Sequence, residues 1–283
     1  MIRVLLTIVA GAAALLAAPS VTAAPDDPVQ ACDTSTPDIT GAVVVVGTEA
    51  NEVIFGSPGP DRITGGGGSD LICGFGGSDV IDATGLFVTI SGGAGNDRIT
   101  SEAVFGLVYG GPGDDRLSVD GSSPLAVGGD GDDHIVLGDG GFPYASGGSG
   151  NDVIRIGDGL FPGAEGGGGN DVISIGNGFR PFAAGGPGRD NIRVGDGNGA
   201  FVLGGPGNDR ISAGDGTVRS ILVPDEPDLD NVLYGDAGSD VLIGGAHRDQ
   251  LYGGPDRDVC IGKGGRDFAT TCEVLVRIES TLP

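Results

Sequence analysis

Fourteen aspartates recur at fixed spacing along the chain: Asp61, Asp70, Asp79, Asp97, Asp115, Asp133, Asp152, Asp171, Asp190, Asp209, Asp240, Asp249, Asp258 and Asp267. A glycine-rich run precedes each, as in "GGSGNDVIR" (147–155) and "GGPGNDRIS" (204–212). Glycine lets the backbone turn tightly and take φ > 0. Such a turn aims carbonyl oxygens at a common centre, and the aspartate adds a carboxylate. These are hard oxygen donors, with no Cys or His among them, and they suit Ca²⁺. One turn offers too few oxygens, whereas two stacked turns supply about six. Stacked carboxylates repel by about 1 kcal/mol per neighbouring pair at roughly 4 Å in water, and more where water is thin. A column of them therefore calls for cations between its rungs.

The spacing also says what must position these side chains. It is 9 residues at both ends, 18 from Asp79 to Asp133 and 19 from Asp133 to Asp209. The period is thus one coil of 18–19 residues made of two half-turns. Both halves carry the motif at the ends, and one half carries it in the middle. Two residues after almost every Asp stands Ile or Leu, often with a further apolar residue two positions on, as in Val119, Leu137, Ile156, Ile175 and Val194. That alternation is the period of a short strand with one buried face. Identical half-turns at fixed spacing stack as a parallel β-solenoid, so the expected fold is all-β with coils about 4.8 Å apart.

The middle half-turns have their own rhythm. GDG or GNG triplets begin at 138, 157, 176, 195 and 214, and place Asp139, Asp158, Asn177, Asp196 and Asp215 one coil apart. Glycine on both sides makes this ladder mainly a turn device. Pro124, Pro143, Pro162 and Pro181 form a second ladder. Proline cannot donate to a sheet, so these positions are expected in a bulging loop at one corner, with Phe142 and Phe161 stacked beside them. Residues 47–55, with Glu52, are a worn copy of the motif. "GAVVVV" (41–46) is expected as a buried strand capping the stack. The Pro-rich acidic segment within 213–230 interrupts the period, and "CEVLVRI" (272–278) is expected to close it.

The first 23 residues have a basic start, an apolar run and small residues before the expected cut, the pattern of a cleavable secretory signal peptide. The remaining organisation is an N-terminal cap (24–46), a repeat body (47–270) and a C-terminal cap (271–283). Four cysteines in an exported chain suggest two disulfides, and Cys32–Cys73 with Cys260–Cys272 would staple the two ends. The formal net charge of −24 excludes nucleic acid and other polyanions as the default partner. The arginines beside the repeated aspartates read as surface counter-charge.

Segments such as "GGAGNDRIT", "GGPGDDRLS" and "GGDGDDHIV" resemble the haemolysin-type (RTX) calcium-binding nonapeptide repeat, GGxGxDxUx. The resemblance spans about residues 47–270. It implies a right-handed parallel β-roll with Ca²⁺ in the turns, held by the fourteen aspartates and by carbonyls of the glycine runs. Many relatives carry a C-terminal secretion signal, where this chain has an N-terminal one. The middle coils keep one calcium-type turn each, which leaves the second ion row open there. The expected function is a secreted, extracellular calcium-binding repeat protein that folds on Ca²⁺ and serves as a structural or binding module. The alternative is an adhesin, or the remnant of a calcium-dependent secreted hydrolase. No enzyme is expected: HExxH and GxSxG are absent, and the two histidines, His134 and His247, make no pair. No membrane span is expected after the leader, and a cell-surface or glycan partner stays open.

Overall fold

Inward Ile and Leu set the architecture. In a computed structural model, which describes Cys32 and residues 41–197, 199–214 and 230–276, the chain winds as a parallel β-solenoid. The strands run from Val44–Val46 to Val274–Val276, and each pairs mainly with the second strand after it. This is the pattern of a coil with one strand in each of two facing sheets. The expected leader, the segment 33–40, residues 215–229 of the interrupting loop and residues 277–283 lie outside the described residues. The stack resumes beyond that loop in register, Phe201 beside Val232 and Arg210 beside Val241. Among the described residues no helix is long and apolar enough to cross a membrane.

We call the sheet that follows the main aspartate row the first sheet. Its strands include Arg116–Val119, His134–Leu137, Val153–Ile156, Val172–Ile175 and Asn191–Val194. The second sheet includes Leu125–Asp130, Tyr144–Ser149, Gly163–Gly168 and Phe182–Ala184. Two longer strands, Val80–Ser91 and Arg98–Pro112, bend from one sheet into the other.

The core is a set of ladders with reciprocal volumes. Ile63, Ile81, Ile99, Leu117, Ile135, Ile154, Ile173, Ile192 and Ile211 form one buried column. Where the second sheet supplies Ile72, Ile90 and Val108, the facing residues are Gly65, Ala83 and Ser101. Where the facing residues grow to Val119, Leu137, Ile156 and Ile175, the second sheet supplies Ala126, Ala145, Ala164 and Ala183. A Cβ on Gly65 would stand 2.8 Å from Ile72 Cδ1, which shows how closely the ladders face. A thin core tolerates neither a void nor an extra methyl.

Two expectations are corrected. Residues 44–46 are a strand, but Val44 and Val46 are exposed and only Val45 packs toward the core, because the first coil covers one face only. The prolines do not bulge. Pro124, Pro143, Pro162 and Pro181 are buried and directly precede second-sheet strands. Phe142 and Phe161 do stack, with ring centroids 5.6 Å apart. Disulfides join Cys32 to Cys73 and Cys260 to Cys272, one at each end of the stack.

Candidate metal centre

The turn before Asp115 shows the local geometry. Gly110, Gly111, Pro112, Gly113 and Asp114 lead into the aspartate, and Gly111 and Gly113 take φ of 119° and 138°. A Cβ on either would also overlap the backbone of the preceding coil. Gly110 has ordinary φ, yet a Cβ there would occupy the space of Asp115 Oδ2 and lie 2.7 Å from the Gly128 carbonyl oxygen. The first glycine thus leaves room for a carboxylate oxygen beside a carbonyl oxygen of the next coil.

The other carboxylate oxygen ties the coils together. Asp61 N–H donates to Asp79 Oδ1 at 2.8 Å, and the same bond repeats through Asp97, Asp115, Asp133, Asp152, Asp171, Asp190, Asp209, Asp240 and Asp258. Val43 N–H starts the row on Asp61, and Glu273 ends it by accepting from Asp258 N–H at 2.7 Å. Asp70, Asp249 and Asp267 belong to a second row at the opposite corner, where Glu52 N–H donates to Asp70 and Asp249 N–H to Asp267.

Oδ2 is buried without a hydrogen-bond donor in the eleven turns of Asp70, Asp79, Asp97, Asp115, Asp133, Asp152, Asp171, Asp190, Asp209, Asp240 and Asp258, and also at Asp267, which accepts from Asp249 N–H through Oδ1. Each of the eleven has positive φ at both its second and its fourth position, whereas the Asp267 turn has it at Gly265 alone. Non-glycine residues accept that conformation at Phe75, Asp236 and Asp256 (φ 77°, 69° and 88°). Two turns have positive φ at neither position, and both close on themselves. Asp61 Oδ2 accepts from Ser57 N–H, and Asp249 Oδ2 accepts from Gly245 N–H. Left-handed backbone at the second position swings its N–H away, toward the next coil's carbonyl, as Gly93 donates to Gly110 and Gly186 to Gly204.

Burial makes these carboxyls hard to ionise without a counter-charge. Desolvation is the main cause of a pKa of about 8 at Asp115, opposed by the Asp97 N–H and reinforced by the charges of Asp97 and Asp133. Burial likewise raises Asp79, Asp133 and Asp209 to about 7 and Asp97, Asp152, Asp190 and Asp240 to about 6. Asp70, Asp171 and Asp258 move the same way.

The second corner replaces this chemistry in the middle of the stack. The register runs Val88, Gly106, Pro124, Pro143, Pro162, Pro181, Ala200, Asn231 and Asp249. The prolines therefore stand where an aspartate of the second row would stand. They carry no N–H, so no carboxylate is needed from the next coil. Ala200 restores the donor, and Asn231 Oδ1 accepts it at 3.1 Å.

Sequence reasoning missed an outer ladder. Where the residue before the aspartate is Asn or Asp, it caps the N–H of its counterpart one coil later: Asn96 accepts from Asp114, Asp114 from Asp132, Asp132 from Asn151, and Asn151 from Asn170. The recurrence of Asn or Asp at that position was the available signal. The GDG ladder acts similarly: Asp158 N–H donates to Asp139 and Asn177 N–H to Asp158, each at 2.7 Å, in exposed positions.

Among the described residues no three Asp, Glu, His or Cys side chains converge on one point. Each turn brings one carboxylate, and the other oxygens are backbone carbonyls. A buried, donor-free carboxylate oxygen beside a glycine carbonyl fits a hard cation and does not fit a soft one.

Stacked glycine turns, one buried aspartate per turn and a two-sheet parallel coil define a repeat β-solenoid of the β-roll kind, with coils of about 18 residues. Four of its segments, 46–81, 74–103, 201–217 and 228–269, match the RTX calcium-binding nonapeptide repeat, so the chain carries repeats of that calcium-binding family. No curated protein and no solved structure matches the chain.

Proposed function

We propose that this chain is a secreted calcium-binding repeat protein whose solenoid serves outside the cell as a structural or binding module. One observation carries the reading. Buried carboxylate oxygens without a donor occur in the eleven turns with two left-handed positions and in neither of the two turns lacking both. Asp70, Asp79, Asp97, Asp115, Asp133, Asp152, Asp171, Asp190, Asp209, Asp240 and Asp258 would hold Ca²⁺ together with glycine carbonyls. Asp61 and Asp249 satisfy themselves and would contribute less. Asp267, whose turn takes positive φ only at Gly265, would serve mainly to cap Asp249.

Magnitudes favour coupling of binding to folding. A buried unsatisfied group costs about 2 kcal/mol, and a charged one more, so eleven cost roughly 20 kcal/mol. A typical domain is stable by only about 5–15 kcal/mol. Ions that bind the folded turns would offset this cost, making metal binding and folding one event. Two disulfides suit an oxidising compartment, where Ca²⁺ is also plentiful.

The test is far-UV circular dichroism of the leaderless chain during a Ca²⁺ titration at pH 8, with metal analysis of the folded product. We expect a β spectrum that forms with Ca²⁺ and about ten bound ions, near the count of open turns. A full β spectrum in excess chelator, with melting unchanged by Ca²⁺, would refute the reading.

A further inference from the structure

The outer face of the first sheet has a different chemistry from the rest of the surface. Its two outward columns hold the residues one and three positions after each aspartate of the main row. One column carries Arg62, Arg98, Arg116, His134 and Arg210, and the other carries Arg155 and Arg193. The six arginines are exposed. The only acid on the two columns is Asp82, 3.9 Å from Arg62. Arg98, Arg116, Arg155, Arg193 and Arg210 have no carboxylate partner among the described residues, where the one other ion pair is Arg248–Asp230. This corrects the expectation that the arginines merely balance neighbouring acids.

On a chain of net charge −24, unpaired cations gathered on one face call for an external anion. The strip is most concentrated at its centre. A shallow depression of about 260 Å³ is lined there by Arg98, Thr100, Arg116, Ser118, His134 and Val136. Arg155 Nη1 donates to His134 Nε2 at 2.6 Å. Burial, with Arg155 and Arg116 nearby, holds the His134 pKa below its usual value.

We propose that this strip binds a single strand of acidic polysaccharide lying along the solenoid axis. Guanidinium forks match sulfate and carboxylate oxygens in pairs. The rungs repeat about every 4.8 Å in a straight line, which suits a linear polymer with charges at regular intervals. Thr100, Ser118, Ser174 and Ser212 alternate with the arginines in the outer columns and offer hydroxyls to sugar hydroxyls. Width decides against broader polyanions. The strands here are about four residues, roughly 13 Å, long. Acidic ladders border them on both sides: Asp114 and Asp132 before the strands, and Asp120, Asp139 and Asp158 after them. A nucleic-acid duplex or an anionic bilayer would press on those rims. The strip uses none of the turn oxygens, so it stands or fails independently of the calcium reading.

The test uses the leaderless chain in millimolar Ca²⁺, its fold verified by circular dichroism, with dextran sulfate and hyaluronate as probes at about 50 mM salt. Binding of either should weaken steeply with salt, and neutral dextran should not bind. Arg98→Gln/Arg116→Gln/Arg155→Gln should bind roughly tenfold more weakly, and Arg189→Gln/Arg257→Gln, off the strip, should bind like the parent. If the triple variant fails to fold, Arg193→Gln/Arg210→Gln reads the far end of the strip and should still lose affinity about threefold. Absence of binding to both probes, or parent-like binding by a folded strip variant, overturns the proposal. Equal or tighter binding of duplex DNA or of phosphatidylglycerol vesicles also overturns it, because the acidic rims would then not be selecting a single strand.

Discussion

The two corners of each middle coil face the same difficulty and solve it oppositely. At a bend between sheets, one backbone N–H per coil points along the axis with no strand partner. At the first corner the next coil supplies an aspartate, Oδ1 accepts the N–H, and Oδ2 is left buried and bare. At the second corner Pro124, Pro143, Pro162 and Pro181 remove the N–H altogether, so nothing must be supplied. The first solution imports a charge that then needs a cation; the second needs none. A solenoid can thus demand ions along one edge and dispense with them along the other. At the register of the prolines the second edge carries acids only toward its ends, at Glu52 and Asp70 and at Asp249 and Asp267.

Protons offer the strongest way to break this contrast, because they act on the first corner alone. Without metal, Asp79, Asp97, Asp115, Asp133, Asp152, Asp190, Asp209 and Asp240 have folded pKa values of about 6 to 8 against an ordinary value of 3.8. A raised folded pKa means that protonation stabilises the fold, fully below the unfolded value, and that this support vanishes as pH rises through about 6 to 8. In chelator we therefore expect β structure and a measurable melting transition at pH 5, and loss of both at pH 8. Stability in chelator that increases from pH 5 to pH 8 would contradict the assignment.

Steric occupation should come next in size. Gly128→Ala would place a methyl where Asp133 Oδ2 sits, 2.6 Å from the Gly147 carbonyl. Overpacking against backbone costs about 1–3 kcal/mol, and thermal melts should show it together with weaker Ca²⁺ affinity. Gly168→Ala is the control. It has ordinary φ and nothing within 4 Å of its Cβ, so its effect should stay within about 0.5 kcal/mol.

At the second corner, Pro143→Ala restores a buried N–H and should cost about 1–3 kcal/mol while leaving Ca²⁺ affinity nearly unchanged. Adding Pro162→Asn places an acceptor one coil later, copying the Ala200–Asn231 bond. A double-mutant cycle should give a favourable coupling of about 1 kcal/mol, and a coupling of zero would mean that the prolines serve shape alone. The smallest effect is expected at the end of the main row. Glu273 is exposed, so Glu273→Ala should cost no more than about 1 kcal/mol, read as a shift in denaturant midpoint with unchanged slope.

Much of this was legible from the residues themselves. The 18–19-residue coil, the inward Ile/Leu column and the stacking of Phe142 on Phe161 follow from spacing, because strict periodicity leaves one register. The role of the prolines did not follow. Spacing put Pro143 one coil from Pro162, but only strand pairing puts both in line with Asn231 and Asp249. The division between open and closed turns was hidden for another reason. "GSPGPD" and "GGAHRD" look like worn copies of "GGPGDD", and what separates them is the sign of φ at Ser57, Gly59, Gly245 and His247, which residue type only biases. The arginine strip was overlooked because the arginines were matched to acids along the sequence, whereas the strands place them across coils.

The main-row bond has a direction, and that direction bears on how such a chain changes over generations. Each coil's aspartate serves the coil before it, and each outer Asn or Asp serves the coil after it. Each coil therefore offers its neighbours the same main-row bond on both faces. If a coil were duplicated or lost in the gene, the flanking coils would meet partners chemically identical to the old ones, and only Val43 and Glu273 at the termini hold bonds that cannot be copied. Length becomes a heritable variable, adjustable one coil at a time with no new interface to invent. The step from 18 to 19 residues after Asp133 would then mark a boundary between two families of copies. Deleting residues 134–152 as one unit should leave a shorter protein with the same ends.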